Sequence, residues 1–167
     1  MKPEPAALAS LSAVIDHDLK SIQRLSADLQ RLSAPLASGG FEFRDLTAIA
    51  YVLHSLYNAL ENSLEQISRT FENHVVEPAR WHKELLDKMF LDIPGVRPAV
   101  LPESLRRSLH DLRGFRHLFR HSYDFELDAK RLTELAHAWD RQHPTLCQSL
   151  TQFSTWLLGQ ANRPSNA

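Results

Sequence analysis

Two long apolar rows with the spacing of an α-helix constrain the fold of this chain more than any other feature. The first row is Leu8, Leu11, Ile15, Leu19, Ile22, Leu25, Leu29 and Leu32. The second row is Leu46, Ile49, Leu53, Leu56, Leu60, Leu64, Ile67 and Phe71. Because an α-helix repeats every 3.6 residues, each row marks one face of a helix of nearly thirty residues. Pro35 and Gly39-Gly40 separate the rows, so we expect the two helices to pack as a hairpin.

Three further helices follow from the same spacing, over residues 79–90, 102–121 and 128–159. The stretch 93–98 contains two prolines and a glycine and is expected to be a loop. Asp128 is a suitable N-cap for the last helix, which Pro144 should kink or split. No strand pattern is present. The sequence therefore predicts an all-α, up-and-down bundle of about five helices, with one domain over 1–161 and a flexible tail at 162–167.

Composition limits what this chain can bind. It has 167 residues, 43% of them hydrophobic, and only 5 glycines, which suits a helical globular domain. A net charge of −1 excludes a general polyanion binder, so nucleic-acid contact would need a local basic patch. Cys147 is the single cysteine, which excludes an internal disulfide and a cysteine-based zinc site. With no signal peptide and no membrane-length apolar run, we expect a cytoplasmic protein without membrane contact.

The fourth predicted helix carries the one basic patch of this kind. Its apolar row is Leu105, Leu109, Leu112, Arg116, Phe119 and Tyr123, and a charged Arg116 interrupts it. A basic row runs beside it through Arg106, His110, Arg113, His117 and His121. The basic row alone could be a solvated helix face, and Arg116 alone could snorkel from the core edge. Together they favour a binding or catalytic site, because charge on a buried face is costly.

An arginine and a histidine in one site can cleave RNA without a metal. Histidine can take a proton from a ribose 2′-hydroxyl or return one to the leaving oxygen, while arginine binds the scissile phosphate. An arginine followed four to six positions later by a histidine also arises by chance, as in Arg69/His74 and Arg131/His137. Only Arg116/His121 lies in a basic, aromatic segment at a helix end. His117 and His121 have metal-ligand spacing but no acidic partner in register, so we predict no metal and no cofactor.

The motif Arg116-x4-His121-x-Tyr123 resembles the Arg-x4-His-x-Tyr motif of HepT-type toxins in the HEPN superfamily. Flanking sequence supports the resemblance to a HepT-like subgroup, from roughly Asp45 to the last helix. The supporting segments are Leu53-His54-x2-Tyr57-x3-Glu61, Trp81-His82-x2-Leu85-Leu86 and Phe115-Arg116-His117-Leu118-Phe119-Arg120. The sequence departs from many members at His117, where those proteins have asparagine.

The resemblance implies a HEPN-like homodimer with a ribonuclease cleft near the subunit interface. Arg116 would bind phosphate and His121 would be the catalytic acid or base. Glu61 is the candidate supporting residue, with Asn58 and Asn62 as alternatives. The further RNA- or phosphate-binding residues would be Arg113, His117 and Arg120. A minimal nucleotidyltransferase antitoxin would be the partner and would add AMP to Tyr123, which blocks the site.

Two alternatives to a ribonuclease toxin remain at this point. The bundle could be a non-catalytic module that docks a nucleotidyltransferase or a nucleotide, with its arginines only binding phosphate. It could also be a purely structural dimer. A ribonuclease site requires Arg116 and His121 to lie close together. On an unbroken helix they differ by about 140° of rotation and about 7.5 Å of rise. They converge only if the helix distorts near Arg120 or if a second subunit completes the site.

Overall fold

A computed structural model describes residues 3–72, 81–121 and 126–163. Within these ranges the chain forms five α-helices and no strand, which confirms the predicted all-α, up-and-down bundle. The helices are α1 (Pro5–Ser33), α2 (Phe43–Glu72), α3 (Trp81–Lys88), α4 (Arg106–His121) and α5 (Ala129–Ala161). Short 3₁₀ turns at Ala34–Ser38 and Glu103–Leu105 follow α1 and precede α4.

The two long apolar rows become the core of the bundle. Most of their side chains are buried, and Leu25, Leu32 and Phe71 are partly buried against the same cluster. The turn between α1 and α2 ends at Gly39, whose φ of 73° is a left-handed conformation that glycine adopts without steric cost. α1 packs most extensively against α2 and α5, as the predicted hairpin requires.

Helix α5 closes the bundle along α1. Its N-cap is Asp128, as predicted, because the carboxylate accepts a hydrogen bond from the Lys130 backbone N–H at 2.9 Å. Of the two outcomes expected at Pro144, a kink or a split, the split is wrong, since one continuous helix runs through that residue. Proline removes one backbone donor, and the apolar residues that follow it, Leu146 and Leu150, are buried and hold the second half of α5 on the bundle.

A buried arginine fixes the loop that leads into α4. Ile93 and Arg97 pair across a tight turn that contains Gly95, whose φ is 77°. The Arg97 side chain is fully buried, and its Nη2 lies 2.5 Å from Oε1 of Glu72 at the end of α2. Arg97 also donates to the backbone carbonyls of Lys88, Leu91 and Pro98, so it ties the loop to the end of α3 while Glu72 holds it against α2.

α3 and α4 cover the C-terminal half of α2. The described part of α3 begins at Trp81, so the predicted start at residue 79 lies outside the described residues, and the helix ends at Lys88 rather than at residue 90. α4 buries Leu109, Leu112 and Phe115, and beside them the predicted charged member of the row, Arg116. Among the described helices, none is both long and apolar enough to span a membrane.

Candidate functional site

Arg116 forms a buried ion pair with Glu61. Its Nη2 lies 2.8 Å from Oε2 of Glu61, and each side chain is only 8% exposed. α4 supplies the guanidinium and α2 supplies the carboxylate, so the pair joins two helices inside the bundle. An unpaired charge at either position would be strongly unfavourable, which explains why the two residues occur together.

Two further α2 residues orient the guanidinium of Arg116. Its Nε donates to Oδ1 of Asn58 at 2.9 Å, and its Cζ lies 5.8 Å from the centre of the Tyr57 ring. The guanidinium of Arg116 is therefore held along one edge by the carboxylate of Glu61 and the amide of Asn58. Nη1 makes no hydrogen bond with a described residue, which leaves its two donors for a ligand.

Asn58 also forms a hydrogen bond with His54. Because Oδ1 of Asn58 accepts from Arg116, its Nδ2 must donate, and it lies 2.8 Å from Nε2 of His54. A His54 ring that accepts at Nε2 carries its proton on Nδ1. Partial burial lowers the pKa of His54, and the charges of Arg116 and Arg120 lower it further. His54 is thus held as the neutral imidazole.

The second oxygen of Glu61 binds a histidine of α3. Nδ1 of His82 lies 2.7 Å from Oε1 of Glu61 and donates to it, since a carboxylate can only accept. The His82 side chain is 33% exposed and lies edge-on to the Trp81 ring, with centroids 4.7 Å apart. One carboxylate therefore connects α2, α3 and α4.

Tyr57 lies beneath Arg116 and is fully buried. Its hydroxyl has no hydrogen-bond partner among the described residues. Burial raises the pKa of Tyr57 well above its usual value, and the nearby carboxylate of Glu61 raises it further. Tyr57 is consequently a neutral phenol that presents its ring to the guanidinium.

Arg116 opens into a shallow cleft of about 400 Å³ between α2 and α4. The α2 wall consists of side chains spaced four, three, one and three residues apart, which places them on one helix face. These are His54, Asn58, Glu61, Asn62 and Glu65, and α4 adds Arg116 and Arg120. The exposed Asn62 is held at the rim because its amide donates to Oδ2 of the buried Asp18 at 2.8 Å.

His121 lies on a different side of α4 from Arg116. α4 continues as a regular helix through His121, so the distortion near Arg120 that would bring the two together is absent. The ring of His121 is exposed, and its Nδ1 donates to the carbonyl of His117 at 2.9 Å. This bond places the proton of neutral His121 on Nδ1 and leaves Nε2 as the basic nitrogen. His121 does not line the cleft into which Arg116 opens.

The predicted phosphate-binding residues divide between two clefts. Arg120 is exposed beside Arg116, whereas Arg113 and His117 line a second cleft between α4 and α5. The N-terminal half of the basic row is not a free cationic surface, because Asp87 of α3 lies 2.7 Å from Arg106 and 2.8 Å from His110.

The predicted modification site lies outside the described residues. Tyr123 falls in the stretch 122–125 and so stays a prediction from the sequence. In the ranges that are described, no three His, Cys, Asp or Glu side chains are grouped so that they could hold a metal ion.

Sequence reasoning missed two histidines of this network, His54 and His82. His54 is a half-buried residue of α2, and the sequence did not assign it to the candidate site. The steps of four and three between His54, Asn58 and Glu61 place the three on one helix face, and this spacing could have predicted that His54 lies beside the site. No local pattern connects His82 to Glu61, because that contact depends on how α3 packs.

A family model described as "HepT-like protein" matches residues 48–157, which is well over half of the chain. The match covers α2 from its second turn, α3, α4 and nearly all of α5. It therefore includes each residue of the Arg116 cleft. No curated protein and no solved structure matches the chain.

Proposed function

Because the chain belongs to the HepT-like family, we propose that it is the toxin of a HEPN/minimal nucleotidyltransferase pair, acting as a metal-independent endoribonuclease. The family is generally related to ribonucleases. In the proposed reaction, the RNA 2′-hydroxyl attacks the adjacent phosphorus and the 5′-oxygen of the next nucleotide leaves. The products are a 2′,3′-cyclic phosphate end and a free 5′-hydroxyl.

The observation that carries this proposal is the environment of Arg116. A buried guanidinium is fixed by Glu61 and Asn58, yet keeps Nη1 for a ligand at a cleft. A preorganised planar donor of this kind suits the equatorial oxygens of a phosphate, where charge develops in the transition state. Arg120 at the rim adds a second positive charge for the backbone of the RNA.

His121 suits the role of acid or base. Its Nδ1 proton is held by a backbone carbonyl, which orients the ring and leaves Nε2 exposed to solvent. An imidazole in this tautomer can accept the proton of the 2′-hydroxyl, as a general base does, and the imidazolium that forms can return a proton, directly or through water, to the leaving 5′-oxygen.

A second subunit would bring the two groups together. Since α4 is undistorted, Arg116 and His121 of one chain lie on different sides of the helix. A symmetric dimer that packs the exposed end of α4 near the cleft of its partner would place His121 of one copy against Arg116 of the other. The exposed, apolar Leu118 lies between them in sequence and would be part of that contact.

The proposed partner is a minimal nucleotidyltransferase that adds AMP to Tyr123. Tyr123 follows the motif arginine by seven residues. An adenylate at that position would add a phosphate and a base only three residues from Arg120 and seven from Arg116 in the sequence. Such an anion competes with RNA for the same donors, which accounts for neutralisation.

One observation favours the alternative of a non-catalytic nucleotide-binding module. The charge of Arg116 is already balanced by Glu61, and its side chain is 8% exposed. In that case Arg116 would hold a nucleotide phosphate, and no RNA would be cleaved.

RNA cleavage by the purified protein decides between the two functions. We expect the wild type to cleave RNA but not DNA, to do so in EDTA, and to leave cyclic phosphate ends. Arg116→Ala and His121→Ala should each remove cleavage. His121→Ala should keep the stability of the wild type, whereas Arg116→Ala leaves Glu61 unpaired and should unfold at lower urea, so circular dichroism checks that it is still helical under the assay conditions. Unchanged cleavage in both variants would show that these residues are not the site, and nucleotide binding without cleavage would favour the non-catalytic module.

A further inference from the structure

Among the residues that the structure describes, the carboxylate of Glu61 has two partners, and only one of them belongs to the motif. Oε2 lies 2.8 Å from Nη2 of Arg116, and Oε1 lies 2.7 Å from Nδ1 of His82. The carboxylate itself is 8% exposed. Each oxygen is thus occupied by a group from a different helix, α4 on one side and α3 on the other.

These contacts fix the rotation of the Glu61 carboxylate. A carboxylate bound through one oxygen can turn about its terminal bond and swing relative to its partner. A donor on the second oxygen removes that freedom, so the acceptor that faces Arg116 stays in one place. Partners that orient a functional side chain in this way are known to set its effectiveness, as they do around metal ligands.

The position of His82 suits an indirect role. It does not line the cleft into which Arg116 opens, and in the described part of the chain it is connected to that cleft through Glu61. The Trp81 ring supports the imidazole from one side. From this geometry we propose that His82 is a positioning residue of the ribonuclease site, which orients Arg116 for phosphate by fixing Glu61.

This inference rests on the proposed function in one respect, because His82 affects RNA cleavage only if Arg116 holds the scissile phosphate. Two substitutions separate positioning from proton transfer. His82→Ala removes the donor. His82→Asn restores an N–H close to the position of Nδ1 but has no imidazole to titrate.

We expect His82→Ala to lower RNA cleavage by about 10-fold to 100-fold, the loss typical of an orienting partner, and His82→Asn to recover most of it. The matched control is His137→Ala, an exposed histidine of α5, which should cleave like the wild type. Cleavage by His82→Ala at the wild-type rate would overturn the proposal. An asparagine variant as slow as the alanine variant would also overturn it, because the imidazole itself would then be required.

A second measurement does not depend on cleavage. The guanidinium N–H signals of Arg116 can be followed by NMR and assigned by their loss in Arg116→Lys. We expect them to shift in His82→Ala and to stay near their wild-type positions in His82→Asn and His137→Ala. If they are unchanged in His82→Ala, His82 does not position Arg116, whether or not the protein is a ribonuclease.

Should the alanine variant not fold, His82→Leu takes its place, since leucine fills the space of the ring without a donor. If RNA cleavage is absent in the wild type while the NMR shifts follow the expected pattern, the ribonuclease proposal fails and the positioning role stands.

Discussion

The guanidinium of Arg116 in α4 and the carboxylate of Glu61 in α2 lie 2.8 Å apart in the interior of the bundle. This contact connects a sequence motif at the end of one helix to a residue 55 positions earlier in the chain. It stabilises two charges that would otherwise be unfavourable to bury, and it aims the arginine at a cleft. Structure and proposed chemistry therefore depend on the same pair.

Removing one partner of this pair should destabilise the protein. Glu61→Ala leaves the guanidinium of Arg116 buried without its counter-charge, and we expect a loss of about 3–5 kcal/mol in the free energy of unfolding. Glu61→Gln keeps an acceptor for hydrogen bonds and should cost less, roughly 1–3 kcal/mol. Urea denaturation measures both values.

The control for this series is Glu134→Ala, whose side chain is 54% exposed and lies 3.9 Å from Arg131. An exposed pair contributes little, so we expect a change within about 0.5 kcal/mol. If Glu61→Ala proved as stable as this control, the buried pair would not contribute to the fold.

Arg116→Lys tests whether the planar fork matters. Lysine keeps the positive charge, but its single ammonium group cannot contact both Asn58 and Glu61 as the guanidinium does. It also lacks the planar pair of donors that binds two oxygens of a phosphate. RNA cleavage should fall by about 100-fold or more, the loss typical when a preorganised donor to a developing charge is removed. Arg107→Lys, on the exposed side of the same helix, should cleave like the wild type. Full activity in Arg116→Lys would mean that charge alone is sufficient.

His54 should make stability dependent on pH. Its pKa is lowered in the folded protein by burial and by Arg116 and Arg120, so the unfolded chain binds the proton more readily. As the pH falls below the unfolded value of about 6.5, the wild type loses stability that His54→Gln does not lose. Urea denaturation from pH 8 to pH 5 should show the advantage of the wild type over this variant shrinking. An advantage that grows on acidification would contradict the lowered pKa.

Co-expression with a minimal nucleotidyltransferase tests the role of Tyr123. We expect intact-mass analysis to show additions of AMP to the wild type and their absence in Tyr123→Phe, because the phenolic oxygen is the proposed acceptor. Tyr57→Phe is the matched control, since the Tyr57 hydroxyl is fully buried and should not be modified. Additions that persist in Tyr123→Phe would place the modification elsewhere.

The fold could be predicted from the sequence because its helices are long and strongly periodic. The two rows of leucine and isoleucine define α1 and α2, and Asp128 marks the start of α5. The absence of a split at Pro144 has a clear physical origin. The sequence shows the cost of a missing backbone donor, but not that Leu146 and Leu150 continue the buried face beyond it.

The candidate site could be predicted only in part. Arg116 stood out because a charge interrupts an apolar row, and Glu61 and Asn58 were named as candidates and do contact it. His82 could not be connected to Glu61 from the sequence, because their contact depends on the packing of α3. The separation of Arg116 from His121 followed from helix geometry, but the regularity of α4 through His121 became visible only in the structure.

Mixing two inactive variants tests the central claim most directly, which is that Arg116 of one subunit and His121 of another form one ribonuclease site. Arg116→Ala and His121→Ala homodimers are prepared separately, unfolded together and refolded as a mixture. About half of the dimers are then heterodimers, with one subunit from each variant. In each heterodimer one of the two sites has both Arg116 and His121, so RNA cleavage should return to about a quarter of the wild-type rate. A mixture as inactive as its two parents would contradict a site shared between subunits.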